Sequence, residues 1–307
     1  MRIVFAGTPE FAVPALQKIC GAGYEVAAVL TQPDRPQGRK RILTPSSVKV
    51  AAEALSIPVL QPEKLRADYS ALKAVGADLM VTCAYGQILS QEVLDLFPMG
   101  VWNIHASLLP AYRGAAPIPR AVIEGERETG ITIMKTDIGL DTGDILCAKS
   151  IAISDMDTAG SLSEKLSALG AEMIAEALAR IESGNFALIK QGEGQVCKKV
   201  QRTEVDFAMS AREISCLIRG LSPAPGSFAV INGLPLNFYQ AEEVACEEEA
   251  PAGTVLSDCV KTGFIVKCGE GAVRISELQP AGGKRMPDTA FLSGRKVQKG
   301  MKFERLS

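Results

Sequence analysis

The stretch Ala77-Asp-Leu-Met-Val-Thr-Cys-Ala84 is strongly apolar, and a second apolar run, Val101-Trp-Asn-Ile-His-Ala106, follows it along the chain. Between them, Gln91–Leu96 has the length and spacing of a short helix. Two apolar strands joined by a helix are typical of a βαβ unit, in which parallel strands are covered on both faces. This stretch therefore predicts an α/β fold for the surrounding chain.

The same alternation continues on both sides of this unit. Further strands are predicted at Ile3–Ala6, Val26–Leu30, Pro58–Leu60, Ile131–Thr136 and Ile145–Ile153. Helices are predicted from Pro9, with Thr8 as N-cap, to about Cys20, and at Ser46–Leu55, Pro62–Val75, Ala116–Glu124 and Thr158–Ser183. We expect residues 1–189 to form a Rossmann-like, mostly parallel sheet with helices on both faces. The turn after the first strand lacks the later glycines of a GxGxxG motif, which argues against a dinucleotide site.

The pattern changes after residue 189. Gly184–Arg202 is polar and rich in Gly, Lys and Gln, and we interpret residues 190–205 as a linker. A helix is predicted at Ala211–Arg219, and short strands follow at Phe228–Ile231, Leu236–Tyr239, Gly253–Val255, Gly263–Val266 and Val273–Ile275. Many short strands at this spacing predict a small, OB-like β-barrel domain over residues 206–307.

Composition excludes some classes of protein. The chain has 307 residues, of which 47% are hydrophobic, and a net charge of −2; residues 1–189 carry −4 and residues 190–307 carry +2. The basic second part weakly favours a polyanionic partner. No apolar run reaches 18 residues, and the chain begins directly with a strand, so we expect a cytoplasmic protein that does not cross a membrane. The eight scattered cysteines have no metal-ligand spacing, so we expect reduced thiols and no metal.

The chain has a single histidine, His105, and it lies two residues after Asn103 on the predicted strand Val101–Ala106. Residues two apart on a strand point to the same face, so the amide and the imidazole can converge on one reacting group. An imidazole is the side chain whose ordinary pKa suits proton transfer near neutral pH. The pair is therefore a candidate catalytic site, although a lone histidine can also be a buried residue bonded to a carbonyl.

A carboxylate, Asp141, follows in the glycine-flanked loop Asp137-Ile-Gly-Leu-Asp-Thr-Gly-Asp144. An amide donor, an imidazole and a carboxylate are the groups needed for acyl transfer to an amine: the amide holds the oxyanion, and the other two handle charge and the amine's proton. No Ser or Cys lies beside His105 in a nucleophile motif, which favours direct transfer over a covalent acyl-enzyme.

Three segments carry a resemblance to a known family, namely Asn103-Ile-His105, Ser107-Leu-Leu-Pro-Ala-Tyr-Arg-Gly114 and Gly139-Leu-Asp-Thr-Gly-Asp144. They are similar to the hallmark segments of the folate-dependent formyltransferases. Four others, Phe5–Phe11, Thr31–Arg39, Gly114–Ile118 and Leu278–Lys284, resemble the branch of that family that acts on methionyl initiator tRNA. The resemblance extends from residue 2 to about residue 302.

The resemblance implies 10-formyltetrahydrofolate as formyl donor and the α-amino group of methionyl initiator tRNA as acceptor. It makes Asn103, His105 and Asp141 the catalytic set. Residues implied to bind the folate are Ser107, Leu108, Leu109, Pro110, Tyr85, Gly86, Ile88 and Leu89. The alternative interpretation of residues 107–110 is a rigid exit from the strand, which Pro110 simply ends.

The implied tRNA contacts are basic. The predicted loop Pro33–Leu43 matches the loop that enters the tRNA acceptor stem in the resembled family, and it would act at the carboxyl end of a strand. Candidate tRNA-binding residues are Arg35, Arg39, Lys40, Arg41, Lys198, Lys199, Lys284 and Arg285, with Arg202, Arg295, Lys296, Lys299 and Lys302 as further phosphate contacts. A solvated surface loop is the alternative for the first four. We expect a monomer.

Two other functions remain open. The first is formyl transfer to a different amine, such as glycinamide ribonucleotide or an amino sugar, or hydrolysis of the formyl donor. The second is RNA binding by a catalytically inactive fold. The basic residues argue against the first, and the intact Asn103, His105 and Asp141 argue against the second.

Overall fold

The computed structural model describes residues 1–38, 40–294 and 297–304. These form two compact units. Unit 1 comprises Met1–Gly114, Gly130–Ile151 and Ser163–Val196, and unit 2 comprises Ala115–Thr129, Ala152–Leu162 and the described residues from Cys197 onward. Unit 2 thus includes two segments that precede residue 189 in the chain. The predicted boundaries at residues 189 and 205 stay a prediction.

The helices and strands are as follows. Up to residue 114 the chain forms β1 (Arg2–Gly7), a 3-10 turn (Glu10–Ala12), α1 (Val13–Gly21), β2 (Glu25–Leu30), β3 (Arg35–Gln37), β4 (Ile42–Thr44), α2 (Ser47–Ala54), β5 (Val59–Leu60), α3 (Ser70–Val75), β6 (Leu79–Cys83), α4 (Gln91–Leu94), β7 (Val101–His105) and β8 (Arg113–Gly114). It continues with α5 (Pro117–Ile123), β9 (Glu128–Lys135), β10 (Ile145–Ala152), α6 (Ala159–Ser183), β11 (Val196–Cys197), β12 (Thr203–Glu204), α7 (Ala211–Gly220), β13 (Ser227–Ile231) and β14 (Leu234–Val244). The last elements are β15 (Val255–Ser257), β16 (Ile265–Lys267), β17 (Ala272–Pro280), β18 (Met286–Pro287), α8 (Asp288–Ser293) and β19 (Phe303–Glu304).

Unit 1 is built on a seven-stranded sheet with the order β10-β9-β7-β6-β1-β2-β5. The pairs β1–β2, β1–β6, β2–β5 and β6–β7 are parallel, and β7–β9 is antiparallel. The prediction of a Rossmann-like, mostly parallel sheet is therefore confirmed. The carboxyl ends of β6 and β7 lie side by side, with Thr82 opposite Asn103.

The core of unit 1 explains why its strands form. Phe5, Met80 and Trp102 lie on three neighbouring strands and are almost completely buried. Burying one such side chain stabilises the fold by about 1.5–3 kcal/mol. The helix α6 packs so closely on this sheet that a Cβ added at Gly170 would lie only 2.9 Å from Cγ2 of Ile104.

Unit 2 contains an eight-stranded sheet with the order β12-β13-β14-β17-β16-β15, to which β18 and β19 add through β17 and β13. Its core holds stacked aromatic rings, with the Phe207 and Phe303 centroids 4.7 Å apart. Its helix α7 begins with a capping box between Ser210 and Glu213. The prediction of a sheet-rich second domain is confirmed, and an OB-like barrel stays a prediction.

Some local predictions are wrong, because tertiary hydrogen bonds override the local pattern. The helix predicted at Pro62–Val75 is helical only over Ser70–Val75, since the side chain of Gln87 accepts a hydrogen bond from the backbone N–H of Leu65. Thr8 is not an N-cap, because its hydroxyl donates to the carbonyl of Tyr85.

The basic segment predicted as a loop contains a short hairpin formed by β3 and β4. Among the described residues, none of the helices is both long and apolar enough to span a membrane.

Candidate active site

Three polar side chains meet at the carboxyl end of β7 in unit 1. Asn103 and His105 project from one face of that strand, and Asp141 comes from the loop between β9 and β10. Asn103 Nδ2 donates to Asp141 Oδ1 at 3.3 Å, and His105 Nδ1 lies 3.7 Å from Asp141 Oδ2. The structure thus places together the three residues that sequence reasoning selected. Their catalytic roles stay predictions.

The histidine has a defined orientation. His105 is 5% exposed, and its Nε2 lies 2.9 Å from the carbonyl oxygen of Tyr112. A carbonyl can only accept a hydrogen bond, so Nε2 carries a hydrogen in both charge states of the ring. The nitrogen that gains or loses a proton is therefore Nδ1, which faces the carboxylate of Asp141.

Asp141 is held by neutral donors. Its Oδ2 accepts from the backbone N–H of Gly114 at 2.9 Å, and its Oδ1 accepts from Asn103. Its φ of +52° lies in the left-handed region, which is uncommon for a residue other than glycine. The loop can form only with glycine at position 143, because a Cβ there would lie 1.7 Å from the carbonyl oxygen of Lys135. The carboxylate is 17% exposed, so a substrate can reach it.

Sequence reasoning missed two residues that fix this geometry. Thr82, on β6, donates through Oγ1 to Asn103 Oδ1 at 2.8 Å, which turns Nδ2 of that amide towards Asp141. Gln191 donates through Nε2 to the carbonyl oxygen of Asp141 at 3.1 Å. Neither lies near the site in sequence. The pairing of β6 with β7 would have indicated Thr82, whereas Gln191 lies in the segment interpreted as a linker.

The segment predicted to bind folate at residues 107–110 is shaped by its own hydrogen bonds. Ser107 is fully buried, and its hydroxyl donates to the carbonyl of Ala111. Thr132 Oγ1 donates to the carbonyl of Ser107 and accepts from the N–H of Leu109. Leu109 is buried, whereas Leu108 and Pro110 are half-buried. The Ser107 hydroxyl is therefore buried and already bonded, whereas Leu108 and Pro110 are partly exposed. The folate contacts predicted for residues 107–110 stay a prediction.

The second predicted folate segment has both buried and exposed members. Tyr85 and Leu89 belong to the core, whereas Gly86 and Ile88 are exposed, the latter at 77%. The Tyr85 hydroxyl has no hydrogen-bond partner among the described residues, and burial raises the pKa of this phenol. An apolar ligand would therefore contact Ile88 first.

The neighbouring thiol does not suit nucleophilic catalysis. Cys83 ends β6, and burial raises its pKa to about 12, so it stays a neutral thiol near neutral pH. Within the described ranges, no cluster of three or more His, Cys, Asp or Glu residues could hold a metal ion. The expectation of a metal-free site stays a prediction.

Three of the predicted tRNA-binding residues of unit 1, Arg35, Lys40 and Arg41, lie on the β3–β4 hairpin. Arg35 is exposed and lies 3.9 Å from Glu63 Oε2. Lys40 and Arg41 are exposed, and Arg39 lies outside the described residues.

The predicted tRNA-binding residues of unit 2 differ in whether they have a partner among the described residues. Lys198, Lys199 and Lys284 are exposed, whereas Arg285 forms an ion pair with Glu277 and stacks on Tyr239. The further candidates also differ: Arg202 donates to Asn237 and lies over the ring of Phe228, Lys299 pairs with Glu248, and Lys302 is exposed. Arg295 and Lys296 lie outside the described residues.

Curated relatives match nearly the whole chain. It is 46% identical over 308 residues to a protein of Herminiimonas arsenicoxydans named methionyl-tRNA formyltransferase, covering 96% of this chain and 97% of that one. Proteins of the same name from Neisseria meningitidis serogroup C and Chromobacterium violaceum are 47% and 46% identical, each covering 99% of this chain and at least 99% of the relative.

Solved structures share the fold at lower identity. WlaRD, a sugar 3N-formyl transferase, has a TM-score of 0.65 at 20% identity and covers 89% of this chain and 96% of its own. HypX from Aquifex aeolicus, in complex with tetrahydrofolic acid, has a TM-score of 0.64 at 18% identity and covers 99% of this chain and 51% of its own.

Two family models match the chain in succession. The model described as formyl transferase matches residues 1–178, and the model of the formyl transferase C-terminal domain matches residues 198–296. With these matches and near-full-length relatives at 46–47% identity, the chain belongs to the formyl transferase family.

Proposed function

We propose that this protein transfers the formyl group of 10-formyltetrahydrofolate to the α-amino group of methionyl initiator tRNA. Membership of the formyl transferase family and the name shared by its near-full-length relatives support this reaction. The single observation that carries it in the structure is the meeting of Asn103, His105 and Asp141 at the end of β7. An amide donor, an imidazole and a carboxylate around one point are what acyl transfer to an amine requires.

The proposed chemistry is direct attack by the neutral amine on the formyl carbon. A C–N bond forms to the methionyl nitrogen, and the carbonyl oxygen takes up negative charge in a tetrahedral intermediate. One N–H of the Asn103 amide already faces Asp141, so its second N–H is the donor for this oxyanion. The positive charge of a protonated His105 would stabilise the same oxyanion, because its Nε2 is bonded to the carbonyl of Tyr112 and its Nδ1 faces Asp141.

Asp141 would receive the proton that the attacking amine loses, directly or through a water molecule. As the intermediate collapses, the bond between the formyl carbon and the folate nitrogen breaks. Its electron pair stays on that nitrogen, which takes up the proton that Asp141 received. Neutral N–H groups, rather than a cation in a tight ion pair, hold the carboxylate of Asp141. A carboxylate in this environment can accept a proton without first breaking a salt bridge.

The tRNA would be held by basic side chains of both units. The exposed Lys40 and Arg41 on the hairpin, and Lys198, Lys199 and Lys284 in unit 2, are the residues proposed to contact phosphates. Such contacts supply affinity without reading sequence. We further propose a cytoplasmic monomer whose residues 206–307 form the tRNA-binding domain.

A formylation assay with 10-formyltetrahydrofolate tests the reaction. Methionyl initiator tRNA should accept formyl, whereas methionyl elongator tRNA and the small amines glycinamide ribonucleotide and an amino sugar nucleotide should not. Equal transfer to a small amine, or release of formate without transfer, would contradict the proposal. Binding of the tRNA without any transfer would instead indicate an inactive RNA-binding protein.

A further inference from the structure

The loop that carries Asp141 is held from outside by a glutamine. Gln191 Nε2 donates to two carbonyl oxygens of this loop, that of Asp141 at 3.1 Å and that of Gly143 at 2.6 Å. Its Oε1 accepts from Nε and Nη2 of Arg113 at 3.1 Å and 2.9 Å. We propose that Gln191 is a positioning residue for Asp141 and acts with Arg113 as a clamp on its loop; the inference rests on the proposed function.

The amide of Gln191 can adopt only one orientation. A guanidinium only donates hydrogen bonds and a carbonyl only accepts them, so Oε1 must face Arg113 and Nε2 must face the loop. Every polar atom of this side chain is thereby used in a bond between two segments that are remote in sequence. Gln191 is half-buried, and these bonds hold its side chain in place.

The clamp bonds to the backbone at a residue with a strained conformation. Asp141 has a φ of +52°, and a non-glycine residue in this region is strained by about 1 kcal/mol or more. The two bonds from Gln191 hold the carbonyl oxygen of Asp141 itself and that of Gly143, two residues further along the loop. They therefore fix the direction in which the Asp141 side chain leaves the loop.

Arg113 links the clamp to the carboxylate itself. The next residue, Gly114, donates its N–H to Asp141 Oδ2 at 2.9 Å, so β8 holds both the clamp and the side chain that it positions. The segment after Gln191 also packs tightly against β8 and the residues that precede it. Arg113 N donates to the carbonyl of Gln195 at 2.8 Å, and a Cβ at Gly194 would lie 2.2 Å from the carbonyl oxygen of Pro110.

The chemical consequence concerns distance. His105 Nδ1 and Asp141 Oδ2 are 3.7 Å apart, slightly longer than a direct hydrogen bond, so a small movement of the loop changes how they interact. Displacements of about 1 Å at a catalytic group can lower the rate by about 100-fold. Loss of the clamp should therefore slow the chemical step while leaving the substrate-binding surfaces in place.

The test uses the full-length protein with two variants of Gln191. Gln191→Ala removes the clamp, and Gln191→Glu keeps the contact with Arg113 but directs an oxygen at two carbonyl oxygens. Both should lower kcat by about 10–100-fold and leave KM for donor and tRNA within about two-fold. Glu193→Ala is the matched control, because Glu193 is exposed in the same segment and bonds to none of the described residues; it should behave as wild type.

Hydrogen exchange separates positioning from folding. Amides of residues 137–144 should exchange faster in Gln191→Ala, while those of β1, β6 and β7 exchange as in wild type. A merely structural role predicts that Gln191→Glu, with its added ion pair, is the milder variant; the clamp predicts that it is at least as impaired as Gln191→Ala. Unchanged kcat, or a loss that accompanies faster exchange throughout unit 1, would overturn the inference. If wild-type protein fails to formylate methionyl tRNA, the proposed function is wrong, and exchange at 137–144 still decides the clamp.

Discussion

Each unit of the molecule holds a prominent aspartate, but in different surroundings. Asp141 in unit 1 is 17% exposed and accepts hydrogen bonds from a backbone N–H and an amide. Asp288 in unit 2 is 2% exposed and forms a 3.0 Å ion pair with Nε of Arg274. It also accepts from the backbone N–H of Phe264. One carboxylate is held without a tight cationic partner, and the other is neutralised.

The difference favours Asp141 as the reactive carboxylate of the proposed reaction and Asp288 as a structural one. Asp288 is buried and ion-paired with Arg274, and removing one partner of such a pair leaves the other charge uncompensated. Asp141 is partly exposed and accepts hydrogen bonds from a backbone N–H and an amide beside the imidazole of His105, so a ligand can approach its carboxylate. Unit 1 would therefore carry the chemistry, and the buried pair of unit 2 would contribute to folding.

The largest expected effect comes from removing either of the two side chains of unit 1 that are proposed to stabilise the oxyanion, His105 and Asn103. His105→Ala and Asn103→Ala should each lower the formylation rate by about 10²–10³-fold, because preorganised donors at a developing charge contribute that much. Steady-state formylation measures this effect, and circular dichroism checks that each variant folds. A variant that keeps more than half of the wild-type rate would remove that residue from the mechanism.

The two aspartates can be compared directly through isosteric changes. Asp288→Asn should lower the free energy of unfolding by about 1–3 kcal/mol, since it removes the charge that pairs with Arg274. Asp141→Asn should change stability less, because the hydrogen bonds to Asp141 come from the backbone N–H of Gly114 and the Asn103 amide, but it should nearly abolish formyl transfer. Urea unfolding and formylation are measured on both proteins. Similar destabilisation by the two changes would break the distinction between the units.

A smaller effect concerns buried hydroxyls. Thr82→Val keeps the shape of the side chain but leaves the Asn103 amide free to rotate, and it should lower kcat by about 5–30-fold, equivalent to about 1–2 kcal/mol. Thr82→Ser retains the hydroxyl and should stay close to wild type.

The unit 2 counterpart of Thr82 is Ser227, which has a fully buried hydroxyl with no hydrogen-bond partner among the described residues. Ser227→Ala should therefore leave kcat unchanged and should not lower stability, because it removes a buried hydroxyl without breaking a hydrogen bond to the described residues. A kcat loss there equal to that of Thr82→Val would argue against positioning.

The smallest expected effects concern tRNA affinity. Lys40→Ala in unit 1 and Lys284→Ala in unit 2 should each weaken tRNA binding a few-fold and reduce the slope of log K against log salt by about one. Arg285→Ala should change that slope less, because its charge is already paired with Glu277. Binding measured over a series of salt concentrations tests this. If the slope is unchanged in Lys284→Ala, Lys284 does not contact a phosphate.

Much of the fold was predictable because its signals are local. The apolar runs Ile3–Ala6, Ala77–Ala84 and Val101–Ala106 all form strands, and the helix predicted at Ala211–Arg219 is observed at Ala211–Gly220. The helix predicted at Pro62–Val75 was too long, since a remote side chain, Gln87, captures the N–H of Leu65. Local pattern cannot foresee such a bond.

The candidate site divides in the same way. Asn103 and His105 share a face because strand periodicity is two, and glycines around Asp141 indicate a loop that approaches another backbone; the sequence by itself therefore determined which residue types could meet. Only the tertiary structure decided which hydrogen bonds hold them. Thr82 reaches Asn103 through the order of the strands, and Gln191 reaches Asp141 across 50 residues of chain. Hydrogen bonds act over about 3 Å in space whatever the separation in sequence, so only the folded chain reveals these partners.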